Sequence, residues 1–245
     1  MSESARMWVE ISFNIVYLIA VWGIVIAMTL QKDRVAPENR RVADLGRYAF
    51  ALLALGDTGH VGFRVWAYAS GGLESTITLF GREVGLVGLG ALATAITVTL
   101  FYVLMIMMWH ARFGKPYGWF GGLLFAAAIV RFFLMIPAAN QWNNVVPPQP
   151  WSILRNLPLM VMGLGVAYLI LRDAIRTHDR TFTWVGAMIV VSYAMYLPVI
   201  LFVQAVPMIG MLMIPKTLAY LAIAIILYQS LYSRRAVPVK APLGV

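Results

Sequence analysis

The chain has 245 residues, 61% of them hydrophobic, and a mean hydropathy of +0.80. A soluble domain cannot bury that much apolar surface, so the composition excludes a soluble protein and indicates a membrane protein. The absence of cysteine excludes disulfides, iron–sulfur clusters and thiolate chemistry. The formal net charge of +9 would suit nucleic acid, but the placement of the charges argues against that partner.

Seven apolar stretches are each long enough to cross a bilayer core, which takes about 20 helical residues. Lipid offers the backbone no hydrogen-bond partners, so runs of this length predict helices. We expect an all-α membrane protein, a single seven-helix transmembrane bundle over residues 1–245. The predicted spans are 8–30, 45–68, 84–109, 119–139, 151–171, 182–204 and 208–231.

The basic residues predict the orientation, because Lys and Arg collect in cytoplasmic loops. Thirteen of the nineteen fall after spans one, three and five or in the tail. The N-terminus is then outside and the C-terminus cytoplasmic, in what we take to be a prokaryotic cytoplasmic membrane with membrane lipids as partners. The thirteen are Lys32, Arg34, Arg40, Arg41, Arg47, Arg112, Lys115, Arg172, Arg176, Arg180, Arg234, Arg235 and Lys240.

Span two carries the densest set of ionisable residues, Asp57, His60 and Arg64. Their spacing of three and four residues places them on one helical face. Gly56, Gly59 and Gly62 allow a neighbouring helix or a ligand to approach the backbone. Charges inside a membrane are costly and usually functional, although a structural hydrogen-bonding role for Asp57 is the simpler alternative.

Further polar residues occur at matching depth in the other spans. By the predicted topology they lie in the outer half of the bilayer. Residues 140–150 form an external loop that could cover them as a lid, although an ordinary connecting loop is the alternative. These residues are Glu10, Asn14 and Tyr17 in span one, Arg82 and Glu83 at span three, Arg131, Arg155, Asn156, Tyr193 and Tyr196 in spans four to six, and Lys216 in span seven.

A polar cavity that opens outward is the simplest explanation of this segregation. Asp57 and Glu10 would offset Arg64, Arg131, Arg155 and Lys216, and Glu83 could join them, although solvated interface charge is the preferred interpretation of Arg82 and Glu83. The positive excess would suit an anionic ligand. A structural ion-pair network is the alternative. Pro198 and Pro215 are expected to kink helices six and seven and to shape the cavity.

The cavity suggests acid–base chemistry rather than a metal site. An imidazole has an ordinary pKa near neutral, so His60 together with Asp57 forms a candidate catalytic pair. Asp57, His60 and Glu10 could make a three-ligand set, but zinc usually recruits more His or Cys, so we predict neither metal nor cofactor. The Gly-x-Ser-x-Gly motif of serine hydrolases is absent.

The chain resembles the microbial rhodopsins in its plan of seven helices with a lysine, Lys216, in the last one. Tyr196 and Pro198 in span six and Arg82-Glu83 beside span three add to the resemblance. The resemblance implies a retinal Schiff base on Lys216. Leu212 departs from the pattern, because that family usually has an acid four residues before the lysine, and Pro215 beside the lysine is atypical. The Gly56-Asp57 pair also resembles the membrane lysoplasmalogenase family.

The leading hypothesis is a membrane-embedded enzyme acting on a lipid-like or isoprenoid substrate. Asp57 and His60 would transfer protons, and Arg64, Arg131 and Lys216 would hold an anionic group. Glu10 and Asn14 would orient these partners, while Arg155, Tyr193 and Tyr196 would complete the pocket. A ligand- or chromophore-binding sensor and a small-molecule transporter are the alternatives.

Overall fold

The computed structural model describes residues 3–233, apart from the side chains of 3–7 and 10. The basic tail residues Arg234, Arg235 and Lys240 lie outside the described residues. Within that part, seven long α-helices account for most of the chain. They are α1 (Glu3–Leu30), α2 (Arg40–Ala69), α3 (Leu86–Phe113), α4 (Gly118–Met135), α5 (Trp151–Arg176), α6 (Arg180–Phe202) and α7 (Met213–Leu231).

Consecutive helices pack side by side, and α1 and α2 also contact α7. The longest connections, which include a two-stranded hairpin between α2 and α3, gather at one end of the bundle, here called the hairpin end. The opposite end carries the connections around 31–39, 114–117 and 177–179.

Six of the helical segments are long and apolar enough to cross a membrane, which supports an integral multi-pass membrane protein. The exception is α2, whose thirty residues would reach across a bilayer. Its mean hydropathy is lowered by Arg47, Asp57 and His60 and by several glycines. Asp57, His60 and the glycines beside them belong to the face for which the sequence predicts a function.

The hairpin was not foreseen from the sequence, which suggested only a connection before span three. Strands β1 (Thr76–Leu79) and β2 (Arg82–Gly85) pair antiparallel around Phe80 and Gly81. Both turn residues have positive φ, 50° and 75°, as the tight turns that suit the twist of a hairpin require. Arg82 and Glu83 are exposed on β2.

The two prolines expected to shape the cavity differ in position. Pro198 lies inside α6, as the sequence indicates. Pro215 is instead the third residue of α7, where its missing N–H would have had no intrahelical acceptor. The expected kink at Pro215 is therefore wrong: a 3-10 helix over Pro207–Leu212 leads into α7.

Close contact between α2 and α3 fixes the position of the polar face of α2. A Cβ at Gly56 would overlap the side chain of Thr97, and a Cβ at Gly90 would lie 2.9 Å from the Cα of His60. The hydroxyl of Thr94 also donates to the carbonyl of Gly56 at 3.0 Å. Small residues on both helices thus allow the backbones to approach.

The opposite end is more polar than the sequence suggested. Arg112 contacts the Asp179 carboxylate at 2.8 Å, and Trp109 donates to buried Asp173 at 2.9 Å. Both carboxylates lie beyond the predicted end of span five. These groups are paired with one another, and Phe101 and Met105 belong to the buried apolar core.

Candidate functional site

A cavity of about 420 Å³ lies in the half of the bundle nearest the hairpin. All seven helices contribute side chains to its wall, together with Trp142 from the connection between α4 and α5. Nine of the site residues predicted from the sequence lie on this wall: Asn14, Asp57, His60, Arg64, Arg131, Arg155, Tyr193, Tyr196 and Lys216.

Two other acidic residues considered in the sequence are not placed on this wall. Glu10 lies in α1, but its side chain is outside the described residues. Glu83 is exposed on β2 and does not line the cavity, so the suggestion that it offsets the cavity cations is wrong. Asp57 is therefore the carboxylate that the described residues bring to the wall.

Asp57 is positioned by α1 and faces α7. The phenol of Tyr17 donates a 2.9 Å hydrogen bond to its Oδ2 atom. The ammonium of Lys216 attracts the carboxylate, although the two are not in direct contact. Asp57 thus has one hydrogen-bond donor and one nearby positive charge on the cavity wall.

His60 lies one turn from Asp57 on the same wall. Neither ring nitrogen has a hydrogen-bond partner among the described residues, and Nδ1 is buried. Buried polar atoms are usually paired, so an unpaired imidazole in a cavity is suited to a ligand or to a transferred proton. The positive charges of Arg64 and Lys216 act on this ring.

Arg131 is the most deeply buried cation of the site, with 2% of its surface exposed. Its Nη1 donates to Thr99 Oγ1 at 2.6 Å and to the carbonyl of Ala95 at 3.2 Å, and Nε donates to the carbonyl of Arg155 at 3.0 Å. All three acceptors are neutral. Its Nη2 makes no hydrogen bond within the described residues.

Arg155 stacks against the loop that follows α4. Its guanidinium lies 4.2 Å from the ring centre of Trp142, a cation–π contact. The indole of Trp142 donates to the carbonyl of Met135 at 3.1 Å. No Cβ would fit at Gly88, because the carbonyl of Trp142 occupies that place.

The same loop is fastened to the bundle at two further points. Asn143 accepts a 3.0 Å hydrogen bond from the backbone N–H of Gly85, and Gln204 donates to the carbonyl of Pro147 at 2.8 Å. The loop therefore covers part of the hairpin end and supplies Trp142 to the cavity wall.

Aromatic side chains surround Lys216. Its Nζ lies 4.4 Å from the ring centre of Tyr196 and 5.6 Å from that of Tyr220. Tyr220 shares a 2.7 Å hydrogen bond with Tyr102, and Tyr193 donates to the carbonyl of Leu159 at 2.8 Å. These bonds hold the rings in place. The ammonium itself has no hydrogen-bond or ion-pair partner among the described residues.

The sequence places Tyr17 and Asn156 among the polar residues of the outer half but assigns them no role in the site, and Trp142 and Tyr220 are not among its site residues. Tyr220 is one turn after Lys216, so helical periodicity could have selected it. Asn156, which accepts from Tyr196 at 3.2 Å, neighbours Arg155. Trp142 carried no such signal, because it lies outside the helices.

Within the described residues, no three His, Asp or Glu side chains come together as metal ligands. The donors of the cavity are instead guanidinium, ammonium, imidazole and phenol groups around one carboxylate. Such a set can bind an anion and move a proton. Comparison of the chain with known protein families, with curated proteins and with solved structures finds no match.

Proposed function

We propose that this protein is a membrane-embedded enzyme that acts on a lipid-like or isoprenoid substrate by acid–base chemistry. The observation that carries the proposal is the pairing of Asp57 and His60 on the wall of one cavity. Asp57 is held by Tyr17, and His60 has no competing hydrogen bond among the described residues. One group can accept a proton while the other donates one.

The remainder of the wall suits an amphiphile. Phe13, Val199, Val203 and Ile214 supply apolar surface beside the charged groups. Met213 lies on the cavity wall and is 37% exposed. A hydrocarbon chain could therefore extend from the cavity towards the lipid.

The proposed membrane arrangement is one seven-helix domain with an outside N-terminus and a cytoplasmic C-terminus. Packing of α2 against α1, α3 and α7 supports α2 as the seventh span. Its charged residues Asp57, His60 and Arg64 face the cavity, which removes the main cost of placing them in a bilayer. The hairpin end would then face outwards.

The first step of the test is to identify the molecules that stay bound to the full-length protein during purification. The protein is purified in a mild maltoside, and mass spectrometry with and without denaturation identifies co-purifying molecules. The lipid extract of the same cells is then incubated with fresh protein, and new masses are sought. We expect the wild type to form a product and both Asp57→Asn and His60→Ala to form less than a tenth as much.

Arg82→Gln is the matched control, because Arg82 is exposed on the hairpin and outside the cavity wall. Each variant is first shown to elute as the wild type does in size-exclusion chromatography. Equal product from wild type and both variants would contradict the proposal. Loss of folding in both variants would assign Asp57 and His60 a structural role and also contradict it.

A chromophore-binding protein is the second candidate, favoured by one observation. The Lys216 ammonium lies between two tyrosine rings with no direct ionic partner among the described residues. A covalent mass increase on Lys216, with visible absorbance, would replace the enzyme proposal. The position of Lys216 argues against the chromophore candidate, because this lysine is only the fourth residue of α7 and so lies in its first turn. A transporter is less well supported, because paired charges and apolar side chains fill the rest of the bundle.

A further inference from the structure

Three cations from three helices lie on the wall of the cavity: Arg131 of α4, Arg155 of α5 and Lys216 of α7. Arg131 Nε donates to the backbone carbonyl of Arg155 at 3.0 Å, and the positive charge of Arg131 acts on both Arg155 and Lys216. The Tyr196 ring lies among them, with Lys216 over its face at 4.4 Å. Like charges gathered in a low-dielectric site are unfavourable unless an opposite charge is present.

The described protein groups supply little of that opposite charge. The bonds of Arg131 go to neutral oxygens, and the guanidinium of Arg155 lies over the neutral Trp142 ring, with no ion pair among the described residues. Asp57 is the one carboxylate placed on the wall, and it attracts Lys216. Burying a cation without a counter-charge costs free energy that a bound anion would offset. Arg64, also on the wall, has an interaction of its own.

We propose that Arg131, Arg155 and Lys216 form a binding subsite for a phosphate group. Among the described residues, the three positive charges exceed the single negative charge of Asp57 by two, and a phosphate monoester carries about −1.5 to −2 near neutral pH. Planar guanidinium groups match phosphate oxygens, and a lysine adds a point charge. Nη2 of Arg131 makes no hydrogen bond within the described residues, so it is a donor that a ligand could use.

The inference rests on the proposed function in one respect: it names the substrate class as an amphiphile with a phosphate head. Lys216 joins the two parts of the site, because it acts electrostatically on Asp57, His60 and Arg131. A phosphate held there would lie beside the candidate acid–base pair. The tail would lie along Val199, Val203 and Ile214.

Thermal unfolding of the full-length protein in maltoside tests the subsite without any need for turnover. Three probes are titrated separately: inorganic phosphate, dodecyl phosphate and dodecanoate. We expect both phosphates to raise the melting temperature. If the natural ligand is a lipid, dodecyl phosphate acts at concentrations at least tenfold lower; equal potency indicates free phosphate. Dodecanoate should act more weakly than dodecyl phosphate.

Arg155→Gln and Lys216→Gln are the test variants, and Arg82→Gln is the control. Arg131 is not used alone, since its bonds to α3 and α5 make a folding defect the expected result of its removal. Each test variant should weaken phosphate binding by about tenfold or more, as the loss of one charge-assisted hydrogen bond predicts. Arg155→Lys should recover part of the loss, because the charge is retained.

The outcomes separate this inference from the proposed enzyme. If neither phosphate stabilises the wild type, if dodecanoate acts as strongly as dodecyl phosphate, or if the test variants respond as the control does, the phosphate subsite is wrong. That result leaves the product assay on Asp57→Asn and His60→Ala unaffected. If phosphate binding depends on Arg155 and Lys216 while those two acid–base variants keep full product formation, the subsite stands and the enzyme proposal fails.

Discussion

The hydroxyl of Tyr17 on α1 donates a 2.9 Å hydrogen bond to the carboxylate of Asp57 on α2. Tyr17 is 4% exposed, so the bond lies away from solvent and has few competitors. It joins the first two helices at the cavity wall and sets the direction of the one carboxylate that the described residues place there.

Tyr17→Phe should lower both stability and activity. Removing the donor leaves a buried carboxylate with less stabilisation, and a hydrogen bond to a charged group contributes about 1.5–3 kcal/mol. The free energy of unfolding, measured by SDS titration in mixed micelles, should fall by about that amount. Product formation should fall as well, because Asp57 would lose its orientation.

Tyr48→Phe is the matched control for this substitution. Tyr48 is 54% exposed, and its ring stacks with Arg47 through a face that phenylalanine also has. Its stability should change by no more than about 0.5 kcal/mol, as for an ordinary surface substitution. A Tyr17→Phe protein as stable and active as this control would show that the bond to Asp57 has no role.

Gly56→Ala and Gly62→Ala should have opposite effects, although both are on α2. A Cβ at Gly56 would overlap Thr97 on α3, whereas nothing lies within 4 Å of a Cβ at Gly62. Overpacking costs about 1–3 kcal/mol, so Gly56→Ala should lower the midpoint of SDS unfolding. Gly62→Ala should leave it unchanged or raise it, since alanine favours helix. Equal effects would contradict the observed contact between α2 and α3.

The buried ion pair at the opposite end should contribute far more to the free energy of unfolding than a partly exposed ion pair does. Arg112 and Asp179 side chains are 8% and 6% exposed, while Asp44, paired with Arg47, is 46% exposed. Asp179→Ala should cost about 3–5 kcal/mol, because Arg112 would remain buried and unpaired. Asp44→Ala should cost no more than about 1 kcal/mol. Comparable unfolding midpoints for the two variants would be the contrary result.

The absence of cysteine makes the topology directly measurable, because any introduced thiol is the only one in the chain. Glu38→Cys and Lys115→Cys lie in exposed connections at the opposite end, and Glu74→Cys lies at the hairpin end. With an impermeant maleimide applied outside intact cells, we expect Glu74→Cys to react. The other two should react only after the membrane is permeabilised.

This labelling pattern tests α2 as a membrane span in particular. Glu38 and Glu74 lie on either side of α2, so equal labelling of both from outside would place the two ends of α2 on one side of the membrane. That result would contradict the seven-span proposal. Labelling of Glu38 and Lys115, but not Glu74, would keep seven spans and reverse the orientation.

The helices were predictable from the sequence because one physical demand dominates them. A backbone in lipid must form its own hydrogen bonds, so apolar runs locate helices to within a few residues. The polar residues of the cavity were predictable for the same reason: Asp57, Arg131 and Lys216 would be too costly if they faced lipid. Their convergence on one wall follows from their similar depth in the bundle.

The remaining features depend on contacts between distant residues. The hairpin at Phe80-Gly81 is the exception, because its first strand reads Thr-Ile-Thr-Leu, a local alternation typical of a strand that covers only four residues. Trp142 reaches the cavity because its loop is fastened to Gly85 and Gln204 through neighbouring residues, which no local pattern encodes. The start of α7 at Met213 likewise depends on the preceding 3-10 turn, so apolarity alone could not reveal that Pro215 would be in a first turn.

The hydrogen bonds of Arg131 have a mechanical consequence. One planar guanidinium extends from α4 to the Thr99 hydroxyl and a backbone oxygen on α3, and to a backbone oxygen on α5. A small displacement of the Arg131 guanidinium is therefore transmitted to α3, α4 and α5. A ligand that accepts a hydrogen bond from Arg131 Nη2 would restrict the motion of these three helices, so ligand binding in the cavity should make this part of the bundle more rigid.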